Sequence, residues 1–330
     1  MSTAADRFTA AQARLLQETG TRVSSRLLTI RAPAARVQHV HVLEGGRDGA
    51  PPVVLLHGGN SVAAAWEPLL GLLQEDFRLS APDRPGCGLT DMLDYHGVPF
   101  REHAVAFVGG VLDALGLGRA SLVGNSMGGY WALLFALAYP ERVERLALVG
   151  EPAGSARRGD FRHRLVSWPG INRLLYATAL KPKRQRARSQ MRMLVAHPER
   201  VSEAFLDLAH AAAMLPGAQR AWLSMLEQVW PVGQLGPTLT YALRPELPQV
   251  SCPTLFIWGT RDFCSPSWGQ ELCRLIPQAR LEVLPEAGHL AWLDAPQQVA
   301  DLLRAFLGGA QAGSSVAPGE GTSFRPETSP

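Results

Sequence analysis

The sequence has no apolar run approaching the roughly 18 to 20 residues that span a bilayer. Its 46% hydrophobic and 18% charged residues are the composition of a globular chain, so a soluble protein without stable membrane insertion is expected. Residues 1–20 carry Asp6, Arg7, Arg14 and Glu18 and lack a continuous apolar stretch ending in a small-residue cleavage site. That stretch does not read as a signal peptide, and a cytoplasmic location is the expectation. Cysteine is scarce: Cys87, Cys252, Cys264 and Cys273 show neither the paired spacing of a zinc site nor the density of a disulfide scaffold, and are expected reduced. A dominant charge of one sign is lacking too. A net charge of +3 with no recognisable binding module gives no reason to expect nucleic acid as a partner. His41, His96, His163, His197 and His210 lack the spacing and acidic company of a metal site, so neither metal nor cofactor is expected, and the oligomeric state is not legible.

What is present is an alternation. After a helical spacing at Phe8–Glu18, the segments Arg26–Arg31 and Val37–Leu43 alternate apolar and polar residues as half-buried, antiparallel edge strands do. Short, wholly apolar runs follow at Val53–Leu56, Leu122–Val123, Leu146–Val149 and Leu255–Trp258, which suit strands buried on both faces of a parallel sheet. Helical patterns at Ala63–Gln74, Arg101–Leu115, Met127–Ala138 and Gln297–Phe306 lie between and after them, so the fold class is α/β with a doubly wound sheet. The alternation breaks after Val149 and resumes at Pro253, which predicts an inserted helical cap. The expected division is an N-terminal helical extension over 1–24, an α/β core over 25–154 and 251–307, the cap over 155–250, and a disordered tail over 308–330, where Gly, Ser, Pro and Thr replace apolar residues.

The strongest local signal is Gly124-Asn125-Ser126-Met127-Gly128-Gly129, which follows the strand Ala120–Val123 and opens a helix. A bare Gly-x-Ser-x-Gly arises by chance in roughly one chain in five or ten of this size, so the strand-to-helix position carries the weight. A serine on so tight a bend has its hydroxyl pushed outward, and flanking glycines avoid collisions between strand and helix. The helix start offers the Met127 N–H as one oxyanion donor. The loop His57-Gly58-Gly59-Asn60 offers a second, with the Gly59 N–H favoured. The bland reading, two glycine turns serving strand-to-helix geometry alone, loses ground because both turns occur together.

Serine needs a general base, and His289 in Glu286-Ala287-Gly288-His289 follows the strand-like Leu281–Leu284 at the sheet edge where α/β sites gather. Asp262, just past Thr254–Trp258, suits the acid that holds the imidazole tautomer. Glu151, after the strand ending at Gly150, is the competitor.

Over residues 25–307 the chain resembles the α/β-hydrolase superfamily, through His57-Gly58-Gly59-Asn60, Asp83-Arg84-Pro85-Gly86-Cys87-Gly88, the serine turn, Gly259-Thr260-Arg261-Asp262 and Gly288-His289. The resemblance implies an eight-stranded, mostly parallel sheet with a helical cap after the sixth strand. The wording around Ser126 is similar to that of hydrolases cleaving carbon–carbon bonds of aromatic ring-fission products, with esterases and cofactor-free perhydrolases as close variants. Those carbon–carbon hydrolases usually carry a longer Gly-rich stretch with proline in the oxyanion loop, and tryptophan after the catalytic histidine. Here Ser61-Val62 and Leu290 stand in those places, so carboxylic ester hydrolysis of a small-molecule substrate is the expectation. Dehalogenases and epoxide hydrolases of this fold place aspartate where Ser126 stands. A non-catalytic ligand-binding role is the remaining alternative.

Two weaker signals complete the sequence. Trp66, Trp131, Trp168, Trp222, Trp230 and Met214 are candidates for an apolar pocket, most of them expected as plain core. Arg157, Arg158, Arg162, Arg164, Arg173, Lys181, Lys183, Arg184, Arg186, Arg188 and Arg192 form a basic stretch, read as a solvated face from which one buried arginine could hold a substrate carboxylate.

Overall fold

The computed structural model describes residues 2–156, 167–178, 182–229 and 239–309. Arg157, Arg158, Arg162, His163, Arg164, Lys181, Trp230 and the tail beyond residue 309 lie outside the described residues.

Eight strands form one sheet in the order β1-β2-β4-β3-β5-β6-β7-β8. They are β1 (Val23–Thr29), β2 (His39–Gly46), β3 (Pro52–Leu56), β4 (Arg78–Pro82), β5 (Ala120–Gly124), β6 (Val143–Val149), β7 (Thr254–Gly259) and β8 (Ala279–Leu284). β2 runs antiparallel to both β1 and β4, and every other pair is parallel. The expected strand pair at the N-terminus exists, but only β1 is an edge, since β4 pairs with the far side of β2.

The wholly apolar strand runs have a direct cause. Successive side chains alternate between faces, and both faces are covered: Val53 and Leu55 join one core with Trp66, Leu79, Ile257 and Leu303, while Val54 and Leu56 join a second with Leu122, Phe107, Trp131 and Phe256. β4 escaped the sequence reading because Arg78-Leu79-Ser80-Ala81-Pro82 offers only two apolar residues on one face and a buried serine on the other.

Twelve α-helices are described: α1 (Ala4–Glu18), α2 (Leu69–Leu73), α3 (Phe100–Ala114), α4 (Met127–Ala138), α5 (Ile171–Ala177), α6 (Arg184–Leu194), α7 (Glu203–Ala213), α8 (Ala218–Val229), α9 (Leu239–Ala242), α10 (Pro266–Leu275), α11 (Ala291–Asp294) and α12 (Pro296–Leu307). The helix expected over Ala63–Gln74 is divided: Ala63–Trp66 form a 3₁₀ turn, and Pro68 stands ahead of α2. Proline donates no backbone hydrogen bond and disfavours helical geometry in the residue before it. α4 is buried at ten of its positions, Met127 through Ala136, as befits a helix enclosed on all sides. Between β6 and β7 the described residues form helices and turns and no strand. No described helix is long and apolar enough to cross a membrane.

α1 is more than an appendage. Thr3 and Asp6 form a reciprocal capping box at its start. Its face then packs on α7 of the inserted segment, burying Phe8 and Leu15 in the same core as Phe205 and Leu208. Arg14, by contrast, pairs with Glu18 and Asp207 at the surface. Phe8→Ala should therefore cost about 3–5 kcal/mol in chemical denaturation, and Arg14→Ala no more than about 1 kcal/mol. Equal effects would contradict this account of how α1 is held.

Candidate active site

Strand order reverses between β3 and β5, so a crevice opens beyond their carboxyl ends. Two loops meet there. Ser126 stands between β5 and α4 at φ 50, ψ −116, a left-handed backbone that non-glycine residues rarely adopt. Packing holds it in place: a Cβ on Gly128 would lie 1.9 Å from the Leu56 carbonyl oxygen, and one on Gly124 would lie 2.6 Å from Gly129 Cα. The Ser126 side chain is partly exposed, and its hydroxyl makes no hydrogen bond among the described residues.

Asp262 and His289 meet as the sequence suggests. His289 Nδ1 lies 2.8 Å from Asp262 Oδ1, with both side chains buried. A carboxylate only accepts, so the proton sits on Nδ1 and neutral His289 keeps a lone pair at Nε2. Burial pulls the imidazole pKa down, but the Asp262 charge and hydrogen bond outweigh it, leaving His289 above its ordinary 6.5. Asp262 is held in turn by the Glu151 N–H on Oδ2 at 2.8 Å. Glu151 thus supports the acid through its backbone. Its carboxylate accepts from the Ser155 N–H, and its pKa is raised by burial and then by the Asp262 charge.

Three positions that sequence reasoning left unassigned join these loops. Asn125 donates from Nδ2 to the Val149 and His289 carbonyls at 2.7 and 3.1 Å, tying the serine turn to the histidine loop. Gly150, at φ 76, lies where these groups converge: a Cβ there would come within 2.4 Å of the His289 carbonyl oxygen and 2.9 Å of Asn125 Nδ2. Asp294 accepts from the Gly288, Ala196 and His197 N–H groups, joining the histidine loop to the inserted helices. A Gly directly after an apolar strand was a signal for Gly150; the other two are ordinary polar residues until the fold closes.

Across the crevice, an added Cβ on Gly58 would sit 3.3 Å from Ser126 Cβ. The Gly59 and Met127 N–H groups, expected as oxyanion donors, make no hydrogen bond among the described residues. His57 Nδ1 donates to the Gly58 carbonyl and Nε2 accepts from the Arg84 N–H, each at 2.9 Å, which sets a neutral tautomer. Burial, then the Arg84 charge, lowers its pKa to about 3.

A cleft lies beside this loop, lined by Asn60, Ser61, Cys87, Tyr95, Trp222 and Met225 among others, with no charged side chain among the described lining residues. Ser126 is not in that lining; the connection runs through Gly59, since a Cβ there would meet Trp222 at 2.9 Å. Trp222 is therefore a wall. Trp66 and Trp131 are core, whereas Trp168 and Met214 are about half exposed. Arg173, Lys183, Arg184, Arg186, Arg188 and Arg192 are all exposed, with Arg184 and Arg188 paired to Glu203, so none of them is the buried arginine considered from sequence.

An eight-stranded, mostly parallel sheet with a positive-φ serine between its central strand and helix is the architecture of an α/β hydrolase. The chain belongs to the alpha/beta hydrolase fold family, whose model matches residues 51–296, and it is a hydrolase. It is 31% identical over 282 residues to 2-hydroxy-6-oxo-6-phenylhexa-2,4-dienoate hydrolase of Comamonas testosteroni, covering 81% of this chain and 91% of that protein. Among solved structures it resembles carboxylesterase CesB of Bacillus subtilis, with a TM-score of 0.73 at 23% identity over 93% of this chain and 99% of that one. It also resembles the meta-cleavage product hydrolase of Pseudomonas fluorescens IP01, with a TM-score of 0.70 at 25% identity over 87% and 98%.

His57 should stay neutral throughout the range where ordinary histidines titrate. Its ring resonances in nuclear magnetic resonance spectra should be flat between about pH 5 and 8, and a midpoint inside that window would contradict the geometry.

Proposed function

We propose that the chain is a serine hydrolase of carboxylic esters, with Ser126 as nucleophile, His289 as general base and Asp262 as orienting acid. The supporting observation is the juxtaposition of a strained serine, two N–H groups without partners and a hydrogen-bonded Asp262–His289 pair at one sheet crevice. His289 Nε2 takes the Ser126 proton as Oγ attacks the carbonyl carbon. The negative oxygen of the tetrahedral intermediate accepts from the Gly59 and Met127 N–H groups. The imidazolium gives its proton to the departing alkoxide, and water, deprotonated by the same imidazole, resolves the acyl-enzyme. In ligand-free sites the nucleophile–base hydrogen bond is commonly long and tightens on substrate binding, which accommodates a Ser126 hydroxyl without a partner. The described residues lining the cleft are uncharged, which suits a neutral acyl substrate better than a carboxylate.

A second reading, hydrolysis of a carbon–carbon bond in a ring-fission dienoate, is favoured by the 31% identity to the Comamonas protein. It uses the same serine attack, on a ketone, and needs a proton delivered to the leaving carbon. Among the described residues lining the cleft there is no cation for a dienoate carboxylate.

Fluorophosphonate treatment followed by intact-mass analysis should give one adduct, absent in Ser126→Ala, which should also lose ester turnover by about 10⁴-fold or more. p-Nitrophenyl esters should be turned over with a higher kcat/KM than 2-hydroxy-6-oxo-dienoates. The reverse ranking would establish the second reading, an adduct without turnover of either would redirect the search to peracid chemistry, and no adduct would sink the triad and favour a binding role.

The base must be unprotonated to act, so kcat/KM should rise with pH through the His289 pKa, with its midpoint above 6.5. Asp262→Asn removes the charge that opposes burial, so the midpoint should fall while the rate drops by about 10⁴-fold. An unmoved midpoint would contradict the assignment of Asp262.

A further inference from the structure

Arg84 is fully buried, and among the described residues no carboxylate pairs with it. The neighbouring Asp83 is committed elsewhere: its oxygens accept from the Ala63 N–H at 2.6 Å and the Leu89 N–H at 3.1 Å, with His41 Nδ1 at 2.7 Å. The Arg84 guanidinium lies with its carbon 4.9 Å from the centre of the Trp131 ring. Nε donates to the His57 carbonyl at 2.9 Å and Nη2 to the Gly58 carbonyl at 2.6 Å, while Nη1 makes no hydrogen bond. An apolar side chain would avoid the desolvation that a buried guanidinium suffers, so the cation calls for a reason beyond packing.

The peptide plane supplies one. The bond between Gly58 and Gly59 is trans, and in a trans peptide the C=O and the following N–H point in opposite directions. The Gly58 oxygen accepts from Arg84 Nη2 and also from His57 Nδ1 at 2.9 Å, and donors held there turn the Gly59 N–H to the opposite side, away from them. Two successive glycines are the residues most able to rotate such a peptide, and rotation would present a carbonyl oxygen where a negative charge is to develop. Hydrogen bonding to the carbonyl also polarises the peptide and strengthens its N–H as a donor.

We propose that Arg84 is a positioning residue of the oxyanion hole, latching the Gly58–Gly59 peptide beside the His57 ring so that its N–H faces the reacting carbonyl. The inference rests on the serine-hydrolase reading above. Arg84 touches no reacting atom and acts only through Gly59.

The test uses Arg84→Met, which keeps the aliphatic stem and removes both donors, and Arg84→Lys, whose single ammonium cannot reproduce the planar fork. With the ester that the wild type turns over, Arg84→Met should lose about 10²- to 10³-fold in kcat with KM changed by no more than roughly twofold. The inhibition constant of an aryl trifluoromethyl ketone, whose serine adduct imitates the tetrahedral oxyanion, should rise by the same factor. Arg84→Lys should fall between the two. A folded variant whose kcat and ketone affinity stay within roughly twofold of wild type overturns the proposal, as does a loss confined to KM. Should neither variant fold, the wild type still decides: on ketone binding the Gly59 amide proton should move strongly downfield, and an unmoved resonance rejects Gly59 as the latched donor. Failure of the underlying reading is separate, because it would appear in the wild type as the absence of a fluorophosphonate adduct or as turnover that survives Ser126→Ala.

Discussion

Backbone lies directly on backbone where α4 leaves the sheet. Gly128 meets the Leu56 and His57 carbonyls so closely that a single methyl group has no room. From that contact follows the left-handed backbone of Ser126, because the chain must reverse from β5 into α4 within two residues while passing beside the end of β3. The same contact brings the His57–Gly59 loop against the serine turn and leaves the Met127 N–H at the helix start. Strain of this kind persists only where surrounding structure over-determines it, and here a helix buried over Met127–Ala136 and two apolar cores provide the constraint.

A polar framework converts that geometry into a site. Asn125 and Asp294 both hold the histidine loop and the Glu151 backbone holds Asp262, while the serine turn, the histidine loop and Asp262 converge on Gly150. Buried donors and acceptors left unpaired are costly, so each of these bonds fixes an orientation as well as satisfying an atom. The result is a histidine whose proton is assigned by a one-way acceptor on one nitrogen, and whose other nitrogen is left for chemistry. The oxyanion loop follows the same logic on the opposite wall, where His57 and Arg84 hold its carbonyls from behind.

The inserted helices contribute a wall rather than a charge. Trp222 and Met225 of α8 stand over Gly59, and Arg173, Lys183, Arg184, Arg186, Arg188 and Arg192 are exposed, with Arg184 and Arg188 paired to Glu203 of α7. α1 reaches across to α7, so the N-terminal helix, the insertion and the core share one apolar cluster.

Much of this was legible from the amino-acid sequence. The paired glycine turns, the apolar runs of β3, β5, β6 and β7, and the insertion between β6 and β7 all follow from local patterns, because alternation, helical spacing and glycine placement are properties of short segments. Asp262 and His289 were paired from their positions after strands, and they are hydrogen bonded. β4 was invisible because a buried serine and a terminal proline break its apolar run, and the helix over Ala63–Gln74 was misjudged because Pro68 divides it. Arg84, Asn125 and Asp294 could not be singled out, since each has partners in segments distant along the chain. The sequence by itself determined which residues can turn, span and bury. Only the tertiary structure decided which polar atoms meet, because hydrogen-bond partners are chosen by the packing of whole elements and not by their neighbours in the chain.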